Sequence, residues 1–357
     1  MWEPPSMRQI LLVIAFALTC TAASAQNAYI SNFSTNDVSV IDTATNTVTT
    51  TVPVGNGPRG VSVSPDGSKV YVANLDSNTV SVINTATNRV TTTVAVGTKP
   101  VSLAVSPDGS TVYAANSGSA NVSVINTATN TVTTTVAVGA GPRGVSVSPD
   151  GSKVYVANLT DNTVSVINTA ANTVANTVAV GTNPFGVSVS PDGSKIYVTN
   201  FTSNTVSVID TATNTVTDTV AVGTNPRGVS VSPDGSKVYV ANSGSANVSV
   251  INTATNTVAN TVAVGVTPVG LAVSPDGLKV YVANNTSNTV SVVSTATNTV
   301  TTTVSVGAGP YAFGNFIGPA PTAVPVPTLS QWALIALGLL LAGLALIQFR
   351  RARSIQA

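Results

Sequence analysis

Three arginines and two aromatic residues occupy one recurring position in this chain. Counted in steps of 42 residues, that position reads Arg59, Val101, Arg143, Phe185, Arg227, Val269 and Tyr311. The planar fork of Arg pairs with carboxylate or phosphate, and aromatic rings stack on sugars or bury apolar surface. Lys99, two residues before Val101, adds a further cation. A companion series, Phe33, Leu75, Leu159 and Phe201, supplies apolar side chains from a second loop. Arg59, Lys99, Arg143, Phe185, Arg227 and Tyr311 are therefore expected to line one ligand-binding mouth for a small anion, a glycan or a partner peptide. The same residues also suit a plain rim, with Arg facing water and the apolar groups capping their neighbours.

A second ladder is acidic: Asp66, Asp108, Asp150, Asp192, Asp234 and Asp276, each within Ser-Pro-Asp-Gly. Pro sets φ, Asp suits the turn and Gly accepts φ > 0, so turn chemistry accounts for every one of them. No metal site is expected there. The chain has no His, and its one Cys is Cys20. Haem ligation by His, thiolate metal sites and His-based catalysis are thus excluded from the mature body, and no cofactor is expected. A net charge of +1 with 8% charged residues gives no basic footprint for nucleic acid.

The elements that must position these residues form a repeat. The Pro of the turn recurs from Pro65 to Pro275 and a Tyr from Tyr29 to Tyr281, always 42 residues apart. A period of this size marks a repeat architecture. Within residues 186–228, GVSVS and KIYVTN alternate in the manner of strands, TVSVID follows, and TVTDTVAV ends the unit. Four short antiparallel strands per unit make one blade of a β-propeller. Ser, Thr and Ala between the Val residues let neighbouring blades approach. Six complete copies fill residues 58–309, preceded by three strands from residue 27 and followed by PYAFGNFI at 310–317. The expected fold is all-β: a seven-bladed propeller whose C-terminal strand completes the first blade and closes the ring. Closure also removes unpaired strand edges.

Tyr197-Val198-Thr199-Asn200 reads YVTN, with YVAN, YAAN and YISN as variants. Together with SPDG and the DTATN-like turn, these motifs closely resemble the YVTN-family β-propeller repeats. That resemblance implies a surface-layer or other exported microbial protein, of a family commonly without an assigned activity. Related propellers include lactonase-like and haem d1-type enzymes, whose activities rest on residues, often His, that this chain lacks.

The two ends read as targeting. Residues 1–25 form a signal peptide, with Met7-Arg8-Gln9 before an apolar run and Ala23-Ser24-Ala25 as the cleavage site. Residues 1–6 fit poorly, so translation is expected to begin at Met7. The default is export with loss of Cys20. The propeller spans 26–318, a Pro-rich spacer 319–328, a transmembrane helix 329–349 and a basic cytoplasmic tail 350–357. Residues 332–349 carry no charge and would make a helix of roughly 27 Å, close to a bilayer core. Arg350, Arg351 and Arg353 orient the tail inward. Val326, Pro327, Thr328, Leu329 and Trp332, followed by the helix and basic cluster, resemble the IPTL-type C-terminal sorting signal of Gram-negative bacteria. Val326 replaces its Ile and Ala333 its usual Gly. The resemblance implies a membrane-embedded sorting protease as a partner, with the protein anchored or processed and released. The alternative is a permanent single-pass anchor.

The function expected from all this is a non-catalytic envelope or surface propeller that binds a partner protein, glycan or matrix. A structural coat subunit and a lactonase-like hydrolase are the alternatives.

Overall fold

The computed structural model describes residues 26–319 and 336–343. The signal segment with Cys20, the spacer, the sorting residues Val326, Pro327, Thr328, Leu329 and Trp332, and Arg350, Arg351 and Arg353 lie outside the described residues.

Residues 27–305 make six four-stranded antiparallel sheets and one three-stranded sheet, in the order of the chain. Blade 5 shows why. Its strands are Pro184–Val189, Lys195–Asn200, Thr205–Asp210 and Thr215–Ala221, running from the channel outward. Alternation of Val with Ser or Thr gives the two middle strands two buried faces, while the outer strand is largely exposed. Tyr197, Val206, Val208 and Val220 pack with Val238, Val240 and Ile251 of blade 6. The turns follow from their residues. Gly193 has φ 72°, and Asn204 and Asn214 adopt φ 58° and 54°, a region Asn tolerates better than most residues. Asn200, fully buried, donates from Nδ2 to Thr205 Oγ1 at 3.0 Å and to Ser207 Oγ at 2.9 Å. The Asn of the YVTN motif thus ties the second strand to the third. Lysines staple blades together, as Lys153 Nζ donates to the Thr211 carbonyl and Lys279 Nζ to that of Thr43.

Blade 1 holds Asn27–Asn32, Asp37–Asp42 and Thr47–Pro53, and residues 310–317 lie against its first strand. The expected closing strand is present but irregular. It touches blade 1 at two separated bridges, Asn32 with Pro310 and Ala28 with Ile317. Between them the chain bows toward blade 2, where Val61 N and Val63 N donate to the carbonyls of Phe313 and Asn315. Ala312 at φ 41° and Gly314 at φ 104° produce the bow. This segment is called the latch below. Gly270 of blade 7 makes room for it, since a Cβ there would collide with the carbonyl oxygens of Tyr311 and Ala312.

Of the membrane helix expected over 329–349, residues 336–343 are described and are helical, and the rest lies outside the described residues; no helix among the described residues is long and apolar enough to cross a membrane.

Candidate functional site

The innermost strands surround a cavity of about 570 Å³ along the axis of the ring. Its wall is neutral: Ser62, Ser146, Ser188 and Ser230 alternate with Val63, Val147 and Val231. Its two ends differ in chemistry.

At the turn end, each acid is satisfied within its own turn. Asp192 Oδ1 accepts Ser190 Oγ at 2.5 Å and Ser194 N at 3.0 Å, while Oδ2 accepts Ser194 Oγ at 2.7 Å. These bonds, that from Ser190 first, hold the carboxyl down at about 2. Among the described residues no group of three or more His, Cys, Asp or Glu is placed to hold a metal.

The opposite end is where the Arg and aromatic residues meet. Phe185, Val269, Tyr311 and Phe313 form a buried apolar cluster with Leu159 and Phe201 against it. The three guanidinium groups lie on its rings. Arg59 Cζ is 4.7 Å from the Tyr311 ring centre and 5.1 Å from that of Phe33. Arg143 Cζ is 5.7 Å and Arg227 Cζ 5.5 Å from the Phe185 ring, and Arg227 also covers Phe201 at 5.2 Å. Arg227 Nη1 donates to the Tyr311 hydroxyl at 3.3 Å. Stacking of this kind stabilises each cation by about 0.5–2 kcal/mol.

What the cluster lacks is an anion. Burial lowers the Arg143 pKa first, then repulsion from Arg59, with Arg227 adding to it and only Tyr311 opposing. No carboxylate enters that balance. The Nε of Arg59, Arg143 and Arg227 are all buried without a partner. Unpaired amide oxygens of Asn32, Asn74, Asn116, Asn158, Asn200, Asn242 and Asn284 recur in every copy and so belong to the blade itself. Among the described residues, the unpaired Nε atoms occur at these three Arg positions and do not recur in every copy.

Five of the six expected site residues are therefore brought together. The sixth is not. Lys99 is exposed, enters none of these stacks, and sits at φ 54°. Its counterparts Gly57, Gly141, Asn183, Asn225, Thr267 and Gly309 all have positive φ, so the position serves the turn. Two residues were missed. The Thr199 hydroxyl donates to the Arg227 carbonyl at 2.6 Å and accepts Gly186 N at 2.8 Å. Ser31 does the same for Arg59 at 2.5 Å and accepts Ala312 N at 3.0 Å. The signal was present in the third letter of the YVTN motif, which is Ser or Thr in these two copies and Ala in the other five.

Fold and motif together define a seven-bladed β-propeller carrying a C-terminal sorting motif. The YNCE-like β-propeller family matches residues 8–110, 68–158 and 234–317, and the chain belongs to that family. The IPTL-CTERM motif matches residues 324–353, and the seven-bladed β-propeller lactonase family matches residues 128–263. Among solved structures, a chain of Kuenenia stuttgartiensis hydrazine synthase is similar at 25% identity and TM-score 0.70, covering 79% of this chain and 99% of that one. A functionally unknown protein from Desulfotomaculum acetoxidans DSM 771 is 18% identical with TM-score 0.71, over 81% and 100%. A proposed 6-phosphogluconolactonase from Bacteroides uniformis ATCC 8492 is 18% identical with TM-score 0.69, over 80% and 98%. No protein of curated function matches.

Proposed function

We propose that the protein is an exported envelope propeller, directed to the cell surface through its C-terminal motif, and that it serves as a non-catalytic binding module. The Arg and aromatic mouth is its binding end. Its ligand is a partner protein, glycan or matrix component that presents anionic groups. The single observation behind this reading is the convergence of three half-buried Arg residues whose Nε atoms are all buried without a partner. A buried donor without a partner is costly, and an anion would satisfy three at once.

Residues 1–25 direct export, residues 26–318 form the ring, and residues 319–328 tether it. Residues 329–349 engage the membrane with the basic tail inside, and a membrane sorting protease acts on this end. The described helix is compatible with that role, because Leu337, Leu339, Leu340 and Leu341 are each more than half exposed. Cell fractionation with mass analysis of the surface form tests the routing: an intracellular protein retaining its N-terminal segment would refute it. A screen of glycans and anionic ligands against the full chain tests the binding end. Equal binding by a variant with Arg59, Arg143 and Arg227 all changed to Ala would remove it.

A lactonase-like hydrolase is the second reading, favoured by the family match over residues 128–263. Turnover of lactones by the full chain would establish it in place of the first.

A further inference from the structure

The latch and the Arg mouth are built from the same residues. Tyr311 belongs to the latch, yet it stacks under Arg59 and accepts the bond from Arg227. Phe313, two residues on, packs on Tyr311 at 5.4 Å and on Phe185 at 5.3 Å between ring centres. The Ser31 hydroxyl joins the two directly, accepting Ala312 N from the latch while donating to the Arg59 carbonyl. Meanwhile the latch holds blade 1 by two isolated bridges, where each of the other six blades has a fourth strand in its sheet. One side of the binding end is therefore made of the segment that closes the ring.

The chemistry of the missing anion is narrower than its charge alone. A carboxylate has two oxygens in one plane, which a single Arg fork can satisfy. Three forks arriving from blades 2, 4 and 6 need an acceptor with oxygens facing several directions. A phosphate or sulfate monoester offers three such oxygens, and the phosphate carries about −1.5 to −2 charge near neutrality. We propose that the Arg mouth holds a terminal phosphate or sulfate group, and that its occupancy pins the latch and so keeps the ring closed. This rests on the reading of that mouth as the binding end. The ligand bridges Arg59, Arg143 and Arg227 across Tyr311, so opening the latch breaks up the site. Binding and closure are then one linked equilibrium.

Hydrogen exchange of the full chain in detergent tests this, read at the amides of residues 310–318 with phosphate, sulfate, acetate or chloride at equal ionic strength. At phosphate a hundred times its dissociation constant, latch exchange should slow by about 100-fold. Sulfate should act in the same way and acetate should not. Arg143→Gln, which lies outside the latch, should abolish the slowing. Tyr311→Phe, which keeps the ring but loses the Arg227 bond, should weaken it. A general salting effect would persist in Arg143→Gln and would overturn the proposal. Phosphate binding seen by calorimetry with latch exchange unchanged would overturn the link to closure and leave the binding end intact. Acetate acting as strongly as phosphate would overturn the ligand class. Absence of binding by every anion would remove the binding end itself. A phosphorylated monosaccharide and a sulfated polysaccharide, compared in the same assay, separate a small ester from a polymer as the source of the group, and failure of both would overturn the ester assignment.

Discussion

The two ends of the channel are made by the same 42-residue unit and solve opposite problems. At the turn end the unit is repeated with little change, and every acid of the Ser-Pro-Asp-Gly turns finds donors within two residues, as Asp66, Asp108 and Asp150 do. At the other end the copies differ, and three Arg residues are left with a buried Nε that has no partner. Identity among copies therefore marks what builds a blade, and departure marks what the ring presents. A feature satisfied in all six of its copies has no capacity left for a ligand. A feature present three times, half-buried and unpaired, does.

Removing the latch should break this comparison most severely. A chain ending at Gly309 loses Tyr311 and Phe313 from the Arg end and leaves blade 1 with three strands, while all six turns of the other end remain. We expect loss of a single cooperative unfolding transition and a rise in light scattering from exposed strand edges. A subtler form is Phe316→Ala. Phe316 is fully buried in the cluster that joins blades 1 and 7. Truncation there should cost about 3–5 kcal/mol, read from the denaturation midpoint.

Acid separates the two ends by titration. Ser and backbone donors lower the Asp66 and Asp108 carboxyls below their usual 3.8, and bring Asp150, Asp192 and Asp234 down to about 2. A depressed folded pKa gives stability that is present above the unfolded value and lost as pH falls through the folded one. The ring should therefore hold its stability down to about pH 4 and lose it progressively toward pH 2. These turns are exposed, so the loss should be gradual, and melting temperature against pH would follow it. The Arg end should not contribute in this window. Its phosphate ligand should instead weaken as pH falls through about 6, where the ester takes up a proton.

Much of this fold was legible because the chain states it repeatedly. Tyr and Pro at a fixed step gave the blade, and counting the partial copies at each end gave the seventh. The course of the latch was not legible. PYAFGNFI aligns with an innermost strand, but its bow rests on positive φ at Ala312 and Gly314, and only the second advertises it. At the candidate site, departures from the repeat picked out the Arg and aromatic residues that the structure brings together. Charge alone misplaced Lys99, whose position is governed by backbone conformation in all seven copies. Ser31 and Thr199 escaped notice because they differ from Ala by only a hydroxyl and were counted as packing residues. Their role depends on a carbonyl 28 residues downstream, which no local pattern reveals.

The smallest expected effects sharpen the comparison best, because their signs are opposite. Asp192→Ala removes the acceptor for Ser190 Oγ, Ser194 N and Ser194 Oγ, and leaves the buried Ser190 with one partner fewer. It should destabilise the ring by about 1–2 kcal/mol. Arg143→Met keeps an unbranched apolar stem over Phe185 and removes a half-buried charge repelled by Arg59 and Arg227. Without ligand it should leave stability unchanged or raise it by up to about 1 kcal/mol, since apolar replacement of a poorly compensated charge is often favourable. The loss of one cation–π contact works against the gain and limits its size. Denaturant melts of both variants in chloride alone read the two signs side by side. If Arg143→Met proves as damaging as Asp192→Ala, the Arg residues hold the ring together as the turn acids do, and the contrast between the two ends disappears.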